Sequence, residues 1–279
     1  MDFLEILKAI ILGIVEGITE WLPVSSTGHM ILIDEFMRLS VSEDFMEMLL
    51  VVIQLGAILA VPILFFDKLW PFGKKKTEIE KKKTLSLWCK VIVGVLPAAV
   101  LGVLFDDLLD EYLYNYPTVA ITLILYGIVF ILLERRNKGR KFRINDVYDL
   151  TYRDALVIGA YQVLSLIPGT SRSGSTIIGG MLSGVSRTAS AEFSFFMAIP
   201  VMLGASFLKV LKLVLDGYTA SGTEVAILLV GIVSSFLVSL FAIKFLMQFV
   251  KRHSFAPFGV YRIVLGVIVL GYFAIKLIA

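Results

Sequence analysis

Apolar residues in this chain come in long runs separated by short polar segments, with neither the alternation of a half-buried strand nor the narrow stripe of a surface helix. Six runs, roughly 46–66, 85–105, 117–134, 188–215, 223–249 and 257–278, reach the length of about 20 residues that a helix needs to cross a bilayer. Lipid offers the backbone no hydrogen-bond partner, so every crossing segment must be helical whatever its propensity. Two further stretches, 1–38 and 152–186, are hydrophobic but interrupted by Pro, Gly, Ser and Thr. Each reads as one broken span or as a re-entrant pair of half-helices. The predicted class is an all-α integral membrane protein.

Composition agrees with the pattern. Of 279 residues, 58% are hydrophobic and only 18% charged, and the mean hydropathy is +0.87. The single cysteine, Cys89, rules out an internal disulfide. No nucleic-acid motif is visible, and no nucleic-acid partner is expected. The net charge of +3 says less than its distribution. Lysines gather at 67–90 (among them Lys74, Lys75, Lys81, Lys82 and Lys83), and a second basic segment at 134–153 includes Arg135, Arg136, Lys141 and Arg143. Both belong on the cytoplasmic side by the positive-inside rule. The acidic segments 34–47 and 105–116, the latter with Asp106, Asp107, Asp110 and Glu111, fall outside.

Parity then decides how the interrupted stretches run. With 216–224 external and 250–256 internal, the stretch 152–186 must enter and leave on the cytoplasmic face. Lys209 and Lys212, at an outer helix end, run against this unless their long side chains snorkel. An internal repeat settles the first stretch. Gly13-Ile-Val-Glu16-Gly-Ile-Thr19-Glu20-Trp-Leu-Pro23-Val-Ser25-Ser26-Thr27-Gly28-His29 resembles Gly159-Ala-Tyr-Gln162-Val-Leu-Ser165-Leu-Ile-Pro168-Gly-Thr-Ser171-Arg172-Ser173-Gly174, with one residue of slippage at the prolines. Each copy precedes three spans, and because three is odd the copies have opposite orientation. The expectation is therefore a single polytopic domain of six transmembrane helices plus two re-entrant hairpins. Its inverted repeats cover about 1–134 and 152–279 and are joined by a basic cytoplasmic loop. The hairpin tips should meet near the midplane.

Those tips carry the chemistry. An ionisable side chain at membrane depth is expensive and marks a functional site by default. Glu16 and Glu20 are four apart and share a helix face, followed by Pro23, then Ser25, Ser26, Thr27 and His29. In the second tip, Gly169 and Gly174 permit unusual dihedrals, and the run from Ser171 onward opens a half-helix reaching about Gly184. A helix N-terminus attracts anions. Arg172 adds a planar fork suited to phosphate oxygens, and Ser173 and Thr176 add hydroxyl donors. Together the tips supply nucleophile, base and anion stabiliser for phosphoryl transfer, with Glu20, Glu16 or His29 as candidate bases. The paired glutamates can instead hold a divalent cation, Mg²⁺ or Ca²⁺. No organic cofactor is expected. Elsewhere, Arg187 and Glu192 flank the start of a span and read as a local ion pair, and Trp21, Trp70 and Trp88 read as interfacial aromatics near helix ends.

The stretch Glu16-Gly-Ile-Thr-Glu20-Trp-Leu-Pro-Val-Ser-Ser26-Thr-Gly-His29, with Pro168-Gly-Thr-Ser171-Arg172-Ser-Gly-Ser-Thr176, resembles the undecaprenyl-diphosphate phosphatase family associated with bacitracin resistance. Both signatures match, and length and hydrophobic pattern agree over essentially the whole chain. The resemblance implies a bacterial enzyme that removes one phosphate from the C55 isoprenyl diphosphate carrier of cell-wall synthesis. It implies Ser26 as nucleophile, Glu20 and His29 in proton transfer, and Glu16 in support of the site or of a metal. Arg172, Ser171, Ser173 and Thr176, with Gly169, Gly174, Ser25 and Thr27 around them, would hold the diphosphate. A homodimer in the bacterial cytoplasmic membrane, with a site opening outward, follows from the same source. The competing reading is a transporter or flippase of a lipid phosphate, since inverted repeats and broken helices also mark transporters.

Overall fold

The computed structural model describes residues 3–74 and 76–278. Of the charges used above, Lys75 lies outside the described residues, as do the side chains of Asp106, Asp107 and Asp110. The helices are α1 (Phe3–Thr19), α2 (Ser26–Phe36), α3 (Glu43–Leu64), the single turn α4 (Phe66–Leu69), α5 (Glu78–Leu113), α6 (Tyr116–Arg136), α7 (Tyr152–Val163), α8 (Arg172–Leu182), α9 (Arg187–Leu215), α10 (Gly222–Arg252) and α11 (Ala256–Ile278). Among the described residues the only β pairing is an isolated bridge between Ile144 and Val185. Helices α3, α5, α6, α9, α10 and α11 are long and apolar enough to cross a membrane, which makes this a multi-pass membrane protein. Helix α5 starts earlier than hydropathy alone predicts. Thr77 and Glu80 cap its first turn reciprocally, Thr77 N donating to Glu80 (2.8 Å) and Glu80 N to the Thr77 hydroxyl (3.3 Å), so the lysine-rich segment continues the helix beyond the apolar run.

The two interrupted stretches break alike. Helix α1 ends at Thr19 and α2 restarts at Ser26; α7 ends in a 3₁₀ turn over Leu164–Leu166 and α8 starts at Arg172. The prolines Pro23 and Pro168 sit in these gaps, where a helix would lose a backbone donor. Ser25 and Ser171 cap the new helices, accepting from Gly28 N (3.4 Å) and Gly174 N (3.1 Å). They are the two non-glycine residues with positive φ among those described, both at +73°.

Small residues set the helix crossings, as expected where lipid removes the hydrophobic drive and only close packing remains. Helix α1 lies on α10 and α7 on α5, so each short helix packs against a long helix from the other half. A Cβ at Gly13 would stand 2.5 Å from the Gly231 carbonyl oxygen, and one at Gly159 only 2.1 Å from that of Gly94. Gly127 of α6 and Gly259 of α11 approach one another in the same way, each 2.6 Å from the other's carbonyl oxygen in that construction. Under the broken stretches lies a core that includes Trp21, Phe130, Phe193, Phe195, Phe196 and Phe255.

Two charge expectations change. Arg187 and Glu192 do not pair with each other. Arg187 grips Glu134 of α6, its Nε at 2.8 Å, and Glu192 accepts from Lys68 at 2.6 Å, because helix α9 turns these residues toward different neighbours. Lys209 meets Glu47 at 2.8 Å, so a carboxylate of the acidic segment neutralises the basic residue that strained the topology. Trp21 is not interfacial: it is fully buried, packed edge-on against Phe195 with ring centroids 5.1 Å apart.

Candidate active site

The gap between α1 and α2 and the gap between α7 and α8 meet at one carboxylate. Glu20 follows the last turn of α1, buried, with its two oxygens facing different partners. Oε2 accepts from the Ser26 hydroxyl at 3.2 Å, and Oε1 accepts from Arg172 Nη2 at 2.9 Å. The backbone carbonyl of Glu20 accepts from the Ser173 hydroxyl at 3.1 Å. Two of these bonds, from Arg172 and Ser173, join segments more than 150 positions apart at Glu20, and the third, from Ser26, ties in the start of α2; bonds to a charged partner in such a buried place are strengthened.

Arg172 stands on the first turn of α8. Its Nη1 donates to the Ser194 carbonyl at 2.7 Å and to the Ser194 hydroxyl at 3.3 Å, and its guanidinium lies 5.9 Å from the centre of the Trp21 ring. Its Nε is buried without a hydrogen-bond partner. Thr176 donates to Ser194 Oγ at 2.7 Å, fixing the residue that fixes Arg172. Ser171 and Ser173 share a hydroxyl contact of 3.2 Å. Gly169 is required by sterics and dihedral together: its φ is +86°, and a Cβ would stand 2.2 Å from Thr122 Oγ1. Thr122 in turn donates to the Pro168 carbonyl at 2.8 Å.

Glu16 is one helical turn before Glu20, 1% exposed, and its Oε1 has no hydrogen-bond partner. Thr27 lies beside Ser26 in the first turn of α2, partly buried. His29 is on the same helix, but its ring is engaged elsewhere. Nδ1 lies 2.7 Å from the Ser25 carbonyl and Nε2 lies 2.6 Å from the Tyr261 hydroxyl. A carbonyl can only accept, so Nδ1 carries the proton, and a neutral His29 accepts from Tyr261 through Nε2. The carboxylate in contact with Ser26 is therefore Glu20, while His29 bonds Ser25 and Tyr261.

Four partners were missed from sequence: Ser194, Tyr261, Tyr126, whose ring faces the Arg262 guanidinium, and Arg262 itself, which donates to the carbonyls of Pro23 and Gly169. The last carried a usable signal, an arginine inside the apolar run 257–278, which is the same anomaly that singled out Arg172. Ser194 and the tyrosines carried none, since hydroxyls at membrane helix interfaces are ordinary.

A cavity of about 1130 Å³ adjoins the second loop through Gln162, Ser165 and Leu166 and α2 through Met30, Ile31 and Asp34. Its walls are mostly apolar and its rim carries Asp34, Glu35, Arg38, Glu43, Glu47 and Lys209. Glu20, Ser26 and Arg172 are not among its walls. Among the described residues no group of three His, Cys, Asp or Glu side chains gathers as a self-sufficient metal cage. Two carboxylates remain, one with an orphaned oxygen. That set fits a hard divalent cation only when an anionic ligand supplies further oxygens.

Chemically, the arrangement offers a hydroxyl hydrogen-bonded to a carboxylate, a guanidinium facing the same carboxylate, and the N-termini of α2 and α8 near them. These are the parts of an anion site with an attacking group.

Residues 9–268 match the family described as bacitracin resistance protein BacA. The undecaprenyl-diphosphatase of Enterococcus faecalis (strain ATCC 700802 / V583) is 57% identical over 272 residues, covering 98% of this chain and 99% of its own. That of Acetivibrio thermocellus is 58% identical over 270 residues, 97% and 98% of the two chains. The protein of the same description in Desulfitobacterium hafniense is 56% identical over 279 residues, 100% of this chain and 99% of its own.

Proposed function

The chain belongs to the bacitracin resistance protein BacA family, and from that premise we propose that it hydrolyses undecaprenyl diphosphate to undecaprenyl phosphate and inorganic phosphate at the junction of its two loops. The observation that carries the site is the double engagement of Glu20, by the Ser26 hydroxyl of one loop and the Arg172 guanidinium of the other.

In this reading Ser26 Oγ attacks the terminal phosphorus as Glu20 accepts its proton. The bond from phosphorus to the bridging oxygen breaks, and the lipid monophosphate leaves with the electron pair. Water then attacks the phosphoserine, releasing phosphate and restoring the hydroxyl. Phosphoryl transfer asks mainly for positioning and for neutralising charge on the equatorial oxygens. Arg172, the N-terminus of α8 and the hydroxyls of Ser171, Ser173 and Thr176 supply both, with Gly174 N and Gly169 allowing close backbone approach. Ser25 and His29 hold the first turn of α2 in place, with Thr27 beside the nucleophile. Glu16 and Glu20 would hold a Mg²⁺ or Ca²⁺ together with the diphosphate oxygens, and such an ion supplies further charge neutralisation.

The long apolar tail suits the cavity beside the loops, since its walls are apolar while its rim is charged. The same rim supports an outward opening. It is built from the acidic segment that the positive-inside rule assigns to the outer face of a bacterial cytoplasmic membrane. The matched serine caps, the matched breaks and the exchange of α1 and α7 between halves support two re-entrant hairpins in an inverted repeat. A homodimer completes the proposed assembly.

The test is chemical. Purified protein given undecaprenyl diphosphate should release one equivalent of inorganic phosphate and leave the monophosphate lipid. Translocation of a lipid phosphate across reconstituted vesicles with no phosphate released would overturn hydrolysis in favour of transport.

A further inference from the structure

We infer that Arg262 is a positioning residue that holds the two loops at one fixed separation, so that Ser26, Glu20 and Arg172 share a single space. The inference rests on the hydrolytic reading above for its kinetic consequence, and on geometry alone for its structural one.

Arg262 lies in α11, fully buried, where an unpaired guanidinium is costly unless each donor finds an acceptor. Among the described residues both terminal nitrogens donate to backbone carbonyls and to no carboxylate, while Nε is buried without a partner. Nη1 donates to Pro23 at 3.2 Å, and Nη2 donates to Gly169 at 2.8 Å and Thr170 at 3.0 Å. Its guanidinium rests 5.7 Å from the centre of the Tyr126 ring. Pro23 stands two residues before Ser25, and Gly169 two residues before Ser171. One side chain therefore grips equivalent carbonyls in both loops, immediately ahead of the two serines with positive φ.

The placement explains how those serines keep their backbone. A non-glycine residue in such a conformation persists only when its surroundings over-determine it. Drawing the preceding carbonyls inward to Arg262 does this for both loops and leaves the N–H groups that open α2 and α8 to the site. The neighbouring Tyr261 bonds His29, so one turn of α11 secures the first loop at Pro23 and the helix it opens, α2, at His29. A planar fork is needed because the acceptors lie on two separate segments. Lysine offers a point charge that can satisfy fewer of them at once.

The experiment compares wild type with Arg262→Gln and Arg262→Lys in two measurements on the full chain in detergent. In phosphate release, Arg262→Gln should lower kcat by about 10²-fold, the usual scale for misplaced reacting groups, with KM changed by less than about threefold. Arg262→Lys should recover part of that loss. In amide hydrogen exchange, Arg262→Gln should speed exchange in residues 20–28 and 167–174 while the long helices keep wild-type protection. Wild-type kcat and loop protection in Arg262→Gln would overturn the inference. So would a loss of protection spread over all helices, which would make Arg262 a general fold residue, or a rise in KM at unchanged kcat, which would place it on the substrate. The exchange measurement needs no turnover. Failure of wild type to release phosphate would refute the hydrolytic reading while leaving the positioning claim under test.

Discussion

Replacing Gly159 by alanine tests whether a helix crossing sets the geometry of a site a full turn and a loop away. The new Cβ would stand 2.1 Å from the Gly94 carbonyl oxygen, backbone against backbone. Carbon and oxygen normally settle at about 3.3 Å or more, so α7 and α5 must part by roughly 1 Å at that point. The strain of overpacking costs about 1–3 kcal/mol, against which alanine's better helix propensity returns about 0.5–1 kcal/mol. The larger consequence is displacement. Helix α7 leads directly into the loop that carries Arg172, and a shift of about 1 Å in reacting groups can cost about 10²-fold in rate. The assay is kcat and KM for phosphate release from undecaprenyl diphosphate, with a thermal midpoint measured alongside. Gly271→Ala is the control, because nothing stands within 4 Å of a Cβ there. The expected result is a large fall in kcat for Gly159→Ala with a modest loss of stability, and wild-type behaviour for Gly271→Ala. A folded Gly159→Ala protein with wild-type kcat would refute the claim that this crossing positions the second loop.

Glu20→Gln should lower kcat by about 10²–10⁴-fold, the usual contribution of a positioned base. It also leaves Arg172 without its carboxylate, so KM for the anionic substrate should not rise; wild-type kcat would remove Glu20 from proton transfer. Exhaustive chelation should lower turnover, and added Mg²⁺ or Ca²⁺ should restore it. Turnover indifferent to chelation would show that Glu16 and Glu20 work without a cation.

Much of the fold could be read from sequence because lipid leaves so few choices. Six apolar runs became six long helices, and the largest shift is in α5, which starts ahead of its apolar run behind the Thr77–Glu80 cap and continues past it to Leu113. The breaks were legible at Pro23 and Pro168, whereas the capping by Ser25 and Ser171 emerged from the structure. Side-chain partners were not legible. Nothing in the spacing shows that Glu192 turns to Lys68, that His29 spends both ring nitrogens on Ser25 and Tyr261, or that Ser194 supports Arg172. Those contacts depend on the rotation of each helix about its axis, which packing between glycines and carbonyls decides. Arg262 falls between the two cases: its presence in an apolar run was visible, but its grip on two loops needed their positions in space.

The central claim is that the two loops form one phosphatase site, with attack from the first and anion binding on the second. The most direct measurement is inorganic phosphate released from undecaprenyl diphosphate by wild type, Ser26→Ala and Arg172→Ala, assayed side by side on folded protein. The account predicts turnover by wild type and loss of at least about 10²-fold in each variant. Wild-type turnover in both variants would contradict it.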